Sequence, residues 1–371
     1  MEPTHVRRVV RINTVKGRYR GKWQEMRSSP PLPGRRCYHS ASVFENRLIV
    51  YGGQDFHEGV FNDMWVFNIN PDSPSQERWR QIPCTENSPG YLCRHHSIVF
   101  NGSLYIFGGN DGSTENDKVF VLDLSQYTWR VVQGAVPAVD SYSIVLHESQ
   151  MIIFGGYIGG NMSNEVFIFD LVRETWSNLS INGEKPVARA DHRAVEYGGC
   201  MWVYGGKFDD ENLEDLWKLD FGTSEWVQIQ YNGTSPGPVS GHSALTYGDV
   251  MLLFGGIHDV LKETNEMYTY DFINNNWVLI QTETQIDDPV TPSEVETFSK
   301  KLKKMDHLEP HKLVLYNGPP SPMQGRVDGK IPHSRDGHTA VLFENLMIVF
   351  GGDRHQMAFN DLYCYSVYEK I

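Results

Sequence analysis

Histidine, cysteine and acidic side chains are this chain's means of metal ligation, nucleophilic attack or proton transfer, and their spacing decides which of these is open. The five cysteines, Cys37, Cys84, Cys93, Cys200 and Cys364, are scattered without a Cys-x-x-Cys pair, which suits neither a zinc knuckle nor a disulfide framework. Two groupings look like ligand pairs, Cys93-Arg94-His95-His96 and His307-x-x-x-His311. Neither completes a four-ligand set, and Pro310 breaks the helix that would place His307 and His311 on one face. No metal and no cofactor are expected. Walker A and dinucleotide fingerprints are absent too. The other notable histidines, His39, His192, His242 and His338, recur together with His95 at a regular interval, with Tyr142 standing in one slot. Such recurrence reads as a structural device and argues against catalysis; the chain is expected not to be an enzyme.

Behind these residues must lie elements that repeat. The 371 residues are 40% apolar and 12% aromatic, with 34 Gly and 19 Pro, which allows a large core crossed by many turns. A net charge of −13 is wrong for a binder of phosphate backbones, so no nucleic-acid partner is expected. No apolar run reaches the ~18 residues of a membrane helix and no signal-peptide core opens the chain, so no membrane insertion is expected, and with the odd set of thiols a cytoplasmic location. The sequons at Asn101, Asn161, Asn178 and Asn232 are expected to stay unmodified.

Six Gly-Gly doublets each close an apolar run that ends in an aromatic: Gly52-Gly53, Gly108-Gly109, Gly155-Gly156, Gly205-Gly206, Gly255-Gly256 and Gly351-Gly352. Short uninterrupted apolar runs predict strands buried on both faces. Downstream of each doublet an acid precedes a second strand bearing an aromatic, as in Asn62-Asp63…Trp65 and Asn360-Asp361…Tyr363. A further strand is marked by Trp79, Trp129, Trp176, Trp226 and Trp277. The unit opens with Arg-x-x-His, complete at Arg36/His39, Arg189/His192 and Arg335/His338 and altered at Val139/Tyr142. This combination resembles the kelch repeat over nearly the whole chain. The resemblance implies an all-β, six-bladed propeller of four antiparallel strands per blade, the first strand of each innermost.

The sixth unit lacks its Trp because the chain ends first. Trp23 precedes Gly52 by the interval at which Trp79, Trp176 and Trp226 precede the next doublet, so the N-terminal strand is expected to close the last blade. The chain then reads as a single domain, 1–371, with 19–26 as the outer strand of blade six, blades one to five at 37–83, 93–133, 140–180, 190–231 and 240–281, an insertion at 282–335, and 336–371 as the rest of blade six. Deleting the first 27 residues should destabilise the ring. Within the insertion, Ser293-Glu-Val-Glu296 fits a capping box and Val295, Phe298, Leu302 and Met305 form a stripe, predicting a short helix. A Pro/Ser-rich loop at 70–78 falls on the opposite, bottom face.

Kelch topology puts the insertion and the loops after each doublet on the top face, where kelch proteins commonly bind partners. The resemblance therefore implies a non-catalytic platform, a scaffold, adaptor or subunit of a larger complex, that takes a peptide or protein loop. The residues expected to bind it are Arg36, Tyr38, His57, Arg94, Asp111, Asp140, Tyr157, Asp191, Lys207, Asp209, His258, Arg335, Asp336, Arg354 and His355, with the insertion as a second candidate contact. Two alternatives stay open: a small-molecule enzyme using the channel mouth, and the substrate-recognition part of a ubiquitin-ligase adaptor. Against the first, copper radical oxidases of this fold need a Tyr-Cys cross-link and converging His ligands. The Glu-x-x-x-Asp-x-x-x-His series of iron-dependent specifier proteins starts at Glu211 and Asp215 but meets Leu219 in third place.

Overall fold

Each apolar run forms the second strand of a blade, and the rest of the blade is built around it. The computed structural model describes residues 20–70, 78–133, 137–259, 262–280, 327–328 and 331–368. Blade one runs outward from the axis as Ser40–Phe44, Arg47–Tyr51, Met64–Asn68 and Trp79–Ile82. The same antiparallel order recurs in blades two to five, whose inner strands are His96–Phe100, Ser143–His147, Arg193–Tyr197 and Ser243–Tyr247. Blade six orders Thr339–Phe343, Leu346–Phe350, Leu362–Tyr368 and finally Arg20–Glu25. The six inner strands touch in a closed circle.

Closure by the N-terminal strand follows the predicted register. Arg20–Glu25 pairs antiparallel with the last strand, Trp23 opposite Tyr365, and Trp23 is fully buried, its ring 4.9 Å from Phe254 and 5.2 Å from Tyr365. Three blades carry an addition that the repeat does not announce, in blade four only a single parallel bridge from Asn182 to Glu225 of its outer strand. Asn232–Gly233 runs parallel to the outer strand of blade five, and Val327–Asp328 parallel to Arg20–Glu25. These two strand pairings cover an edge that would otherwise present unpaired backbone groups. The expected helix at 293–305 and most of the 70–78 loop, residues 71–77, lie outside the described residues.

The doublets exist because blades meet there. A Cβ on Gly351 would stand 2.6 Å from the Arg36 carbonyl oxygen and 2.8 Å from His39 Cε1 of blade one, and one on Gly352 would stand 2.7 Å from His338 Cβ of its own blade. Both glycines also have left-handed φ, 60° and 95°, which side chains resist. The repeating His seals the joint by an edge-on contact with the preceding blade's aromatic, as His39 on Phe350, His192 on Phe154 and His338 on Phe254. Burial pushes His95 and His242 down to about 3, so these imidazoles are neutral packing groups. Tyr142 fills the same slot in blade three and donates its hydroxyl to the Phe107 carbonyl at 2.6 Å.

The Arg that opens three units is a strut. Arg36, Arg189 and Arg335 are fully buried, and each donates to the first glycine's carbonyl and to the acid of the third strand. Nη1 lies 2.7, 2.7 and 2.6 Å from Asp63, Asp215 and Asp361. In the other blades Leu92, Val139 and Val239 hold this position, judged by the carbonyl each offers to the doublet.

Candidate binding face at the channel mouth

Three consecutive positions before each inner strand do three different things. The first is the strut or its apolar replacement. The second forms a reciprocal backbone bridge with the residue following the doublet: Cys37 with Gln54, Cys93 with Asn110, Asp140 with Tyr157, Ala190 with Lys207, Ser240 with Ile257 and Asp336 with Asp353. Directly opposed antiparallel residues place their side chains on the same face, so the mouth is surrounded by side-by-side pairs, one per blade. The third position, Tyr38, Arg94, Ser141, Asp191, Gly241 or Gly337, has left-handed φ between 53° and 64°. Its N–H donates to the carbonyl of its counterpart in the preceding blade, at 2.7–3.2 Å, until Gly337 accepts from Tyr38 and the circle closes. Four of the six are not glycine, and each such backbone costs about 1–2 kcal/mol, which the closed ring of hydrogen bonds offsets at about 0.5–1.5 kcal/mol each. A channel of about 540 Å³ is lined by the ring members Tyr38, Arg94, Ser141, Asp191 and Gly337 and by the inner strands.

Blades two to four give their own buried acids partners at this rim. Asp191 receives Lys207 at 2.9 Å and Arg94 at 3.6 Å. Burial raises its pKa, but the two cations outweigh burial and leave it below the usual carboxylate range. Arg94 also lies over the Tyr38 ring at 4.0 Å and donates to Ser141 Oγ. Asp140 accepts from Asn110 Nδ2 at 3.0 Å and from Ser141 Oγ at 2.8 Å.

Blade six does the opposite. Asp336 and Asp353 are 7% and 6% exposed, and Asp336 accepts only from Tyr38 Oη, at 3.0 Å, among the hydrogen bonds of described side chains. Burial, then the charge of Asp353, push Asp336 up to about 8; burial, opposed by the Gln356 N–H and reinforced by Glu263, puts Asp353 at about 6. Glu263 is occupied by His355, whose Nδ1 lies 3.1 Å away and whose N–H donates to it.

Of the fifteen residues expected on this face, Tyr38, Arg94, Asp140, Tyr157, Asp191, Lys207 and Asp336 come together at the rim, with His355 behind it on Glu263. His57, Asp209 and Arg354 stand on the hairpin loops Gln54–Asp55/Gly59–Val60, Lys207–Phe208/Glu211–Asn212 and Asp353–Arg354/Met357–Ala358. Asp111 caps its own turn through the N–H groups of Ser113 and Thr114, and His258 bonds the Pro238 carbonyl. Arg36 and Arg335 are not on the rim; both guanidinium groups are buried struts. The fifteen do not include Glu263 or the ring members Ser141, Gly241 and Gly337; of the candidate stretch Asp353-Arg354-His355 they include only the last two. The loop-tip apolar residues Phe56, Phe208 and Met357, exposed at 43%, 40% and 49%, are not among the fifteen either. Ser141, Gly241 and Gly337 share one signal, each standing immediately before the residue of the His slot, and Asp353 directly follows its doublet.

Neither thiol at this rim is activated as a nucleophile. Burial and the nearby Asp353 and Asp336 raise Cys37 well above the usual thiol range, and burial puts Cys93 at about 11. Among the described residues no three His, Cys, Asp or Glu side chains are grouped to hold a metal ion.

Comparison with known proteins agrees with this architecture. The family model described as the KLHDC2/KLHL20/DRC7 Kelch-repeats domain matches residues 5–141 and 141–301. Adagio-like protein 1 of Oryza sativa subsp. japonica is 32% identical over 120 residues, 32% of this chain and 18% of the relative. Human Kelch domain-containing protein 10 is 30% identical over 111 residues, 29% of this chain and 24% of the relative. The Drosophila melanogaster leucine-zipper-like transcriptional regulator 1 homolog is 27% identical over 125 residues, 32% and 12% of the two chains. The matches thus span less than a quarter of these relatives' own length. The match of the family model across most of the chain, on a ring of six kelch blades, places this protein in the kelch-repeat family.

Proposed function

We propose that this propeller is a non-catalytic protein-binding platform whose partner, a peptide or protein loop, sits on the top face over the channel mouth. Kelch propellers suggest a protein-interaction role in general; the choice of face is carried by the rim, where six same-face side-chain pairs of unlike chemistry are held by a closed backbone ring. Variable side chains on a rigid frame are what recognition needs. Apolar tips at Phe56, Phe208 and Met357 ring that surface and offer anchors of the kind interfaces use. The protonated thiols and neutral buried imidazoles favour this reading over chemistry in the channel. The five free cysteines suit a reducing compartment, and we place the protein in the cytoplasm. Scaffold, adaptor and complex subunit are all compatible roles.

The test is affinity capture with the full chain, followed by mass spectrometry, comparing Phe56→Ser/Phe208→Ser with Val172→Ser/Ile273→Ser, which alters exposed residues on the bottom-face turns. Partners should be lost with the first pair and kept with the second. The reverse pattern would move the binding face. A variant shortened between 284 and 330 tests whether the insertion also contributes.

A further inference from the structure

We propose that the blade-six side of the mouth receives a lysine or arginine side chain of the partner polypeptide, its cationic head lodged against the paired carboxylates of Asp336 and Asp353. The inference deepens the reading of the top face as a protein-binding surface and rests on it.

The backbone bridge sets the two carboxylates side by side, an arrangement of like charges that destabilises an antiparallel pair unless something neutralises it. The Arg193 guanidinium acts on Asp336 through space but forms no ion pair with it. No Lys or Arg forms an ion pair with either residue among the described residues. Asp353 takes one backbone N–H, from Gln356, on Oδ2; its Oδ1 is enclosed and meets no donor, although the residue is only 6% exposed. A buried carboxylate oxygen without a partner is costly and calls for an explanation. Across the mouth the explanation is plain, because the ring residues Arg94 and Ser141 and the bridge residue Lys207 satisfy Asp191 and Asp140. On the blade-five and blade-six side the ring members are Gly241 and Gly337, which have no side chain to offer.

The surroundings select a cation. Asp55 and Glu263 act on Asp353, and Glu263 and Asp191 on Asp336, all raising the cost of its charge. Exposed acids on the same face, among them Glu58, Asp111, Asp209, Asp210 and Glu211, would draw a basic segment towards the mouth. The pKa values of about 8 and about 6 give the exchange its balance: the pair holds a proton while empty and releases it to solvent when the cationic head arrives, with no covalent bond made or broken. Active and binding sites hold such uncompensated charge where a ligand completes it.

A phage library of random dodecapeptides panned on the full chain, followed by fluorescence anisotropy of the enriched synthetic peptide, tests this. We expect the enriched peptides to share a Lys or Arg. Its replacement by Gln, and Asp336→Asn or Asp353→Asn in the protein, should each weaken binding roughly tenfold or more. Both variants should unfold at a higher temperature than the wild type, so loss of binding cannot be loss of fold. Enriched peptides without a shared base, or binding indifferent to both Asn variants yet weakened by Phe208→Ser, would overturn the cationic ligand and leave the protein-binding face standing. Peptide binding indifferent to every top-face substitution would overturn both. Spermine competing with the peptide at equal affinity would overturn the polypeptide source.

Discussion

The two sides of the channel mouth are built from the same backbone and treat charge in opposite ways. In blades two to four, Asp191 is buried but held ionised by Lys207 and Arg94, and Asp140 accepts hydrogen bonds from Asn110 and Ser141. In blade six, Asp336 and Asp353 are equally buried and face each other with no Lys or Arg ion pair among the described residues. The hydrogen-bonded ring and the bridge pairs are common to both sides, so the difference lies in which side chains the ring positions carry. A symmetric frame thus leaves each blade free to hold its own chemistry, and one sector of the rim is complete while another is left for a ligand.

The largest effect should come from opening the frame on which both sides depend. Trp23→Ala removes a fully buried indole from the closing strand and should cost about 3–5 kcal/mol, with the two sides losing protection together in hydrogen exchange. Loss confined to blade six would mean that the ring does not act as one unit.

Next comes the compensated side. Lys207→Met deprives Asp191 of its nearer cation, and urea unfolding should show a loss of about 1–2 kcal/mol, below the figure for a fully buried pair because Lys207 is partly exposed and Arg94 remains. The uncompensated side should respond with the other sign: Asp336→Asn should stabilise by about 1–2 kcal/mol near neutral pH.

The pH dependence follows from the same contrast. A carboxyl whose pKa is raised on folding holds a proton that the unfolded chain has released, so its burden on stability begins above about pH 4, the unfolded value, and is complete above about pH 8 for Asp336. The groups facing it are Asp353, Tyr38, Glu263, Asp191, Arg193 and Cys37; those facing Asp353 are Asp336, Glu263, His355, Asp55 and Cys37. The buried histidines act on the acid side: lowered on folding, they take protons only when the chain opens, so their contribution is present above about pH 6.5 and is lost below it. Melting temperature should therefore fall from pH 6 to 9 more steeply in the wild type than in Asp336→Asn. Parallel curves would remove Asp336 from this account. The smallest effect on stability, within about 0.5 kcal/mol, belongs to Phe208→Ser on an exposed hairpin tip; its consequence should appear in partner capture instead.

Much of this molecule was readable before any coordinates. Gly-Gly doublets and Trp intervals report contacts that every blade must make, so they count the blades, and the displaced Trp23 register locates the closing strand. The rim was harder. Arg36, Cys37 and Tyr38 are consecutive residues in irregular backbone, and no periodicity tells which turns inward as a strut, which pairs across the bridge and which joins the ring. Arg36 and Arg335 were accordingly expected on the rim. The ring itself is masked because Tyr38, Arg94, Ser141 and Asp191 adopt a conformation whose usual marker is glycine. Neither Asp336 nor Asp353 shows in sequence that the other lies beside it, because sequence separation says nothing about a cross-strand bridge.

The charge difference can be observed directly by titrating the side-chain carboxyl carbons of Asp191 and Asp336 in protein labelled selectively at aspartate. The account predicts that Asp191 titrates below the usual carboxylate range while Asp336 keeps its proton to near pH 8. Titration of both residues together near pH 4 would contradict it.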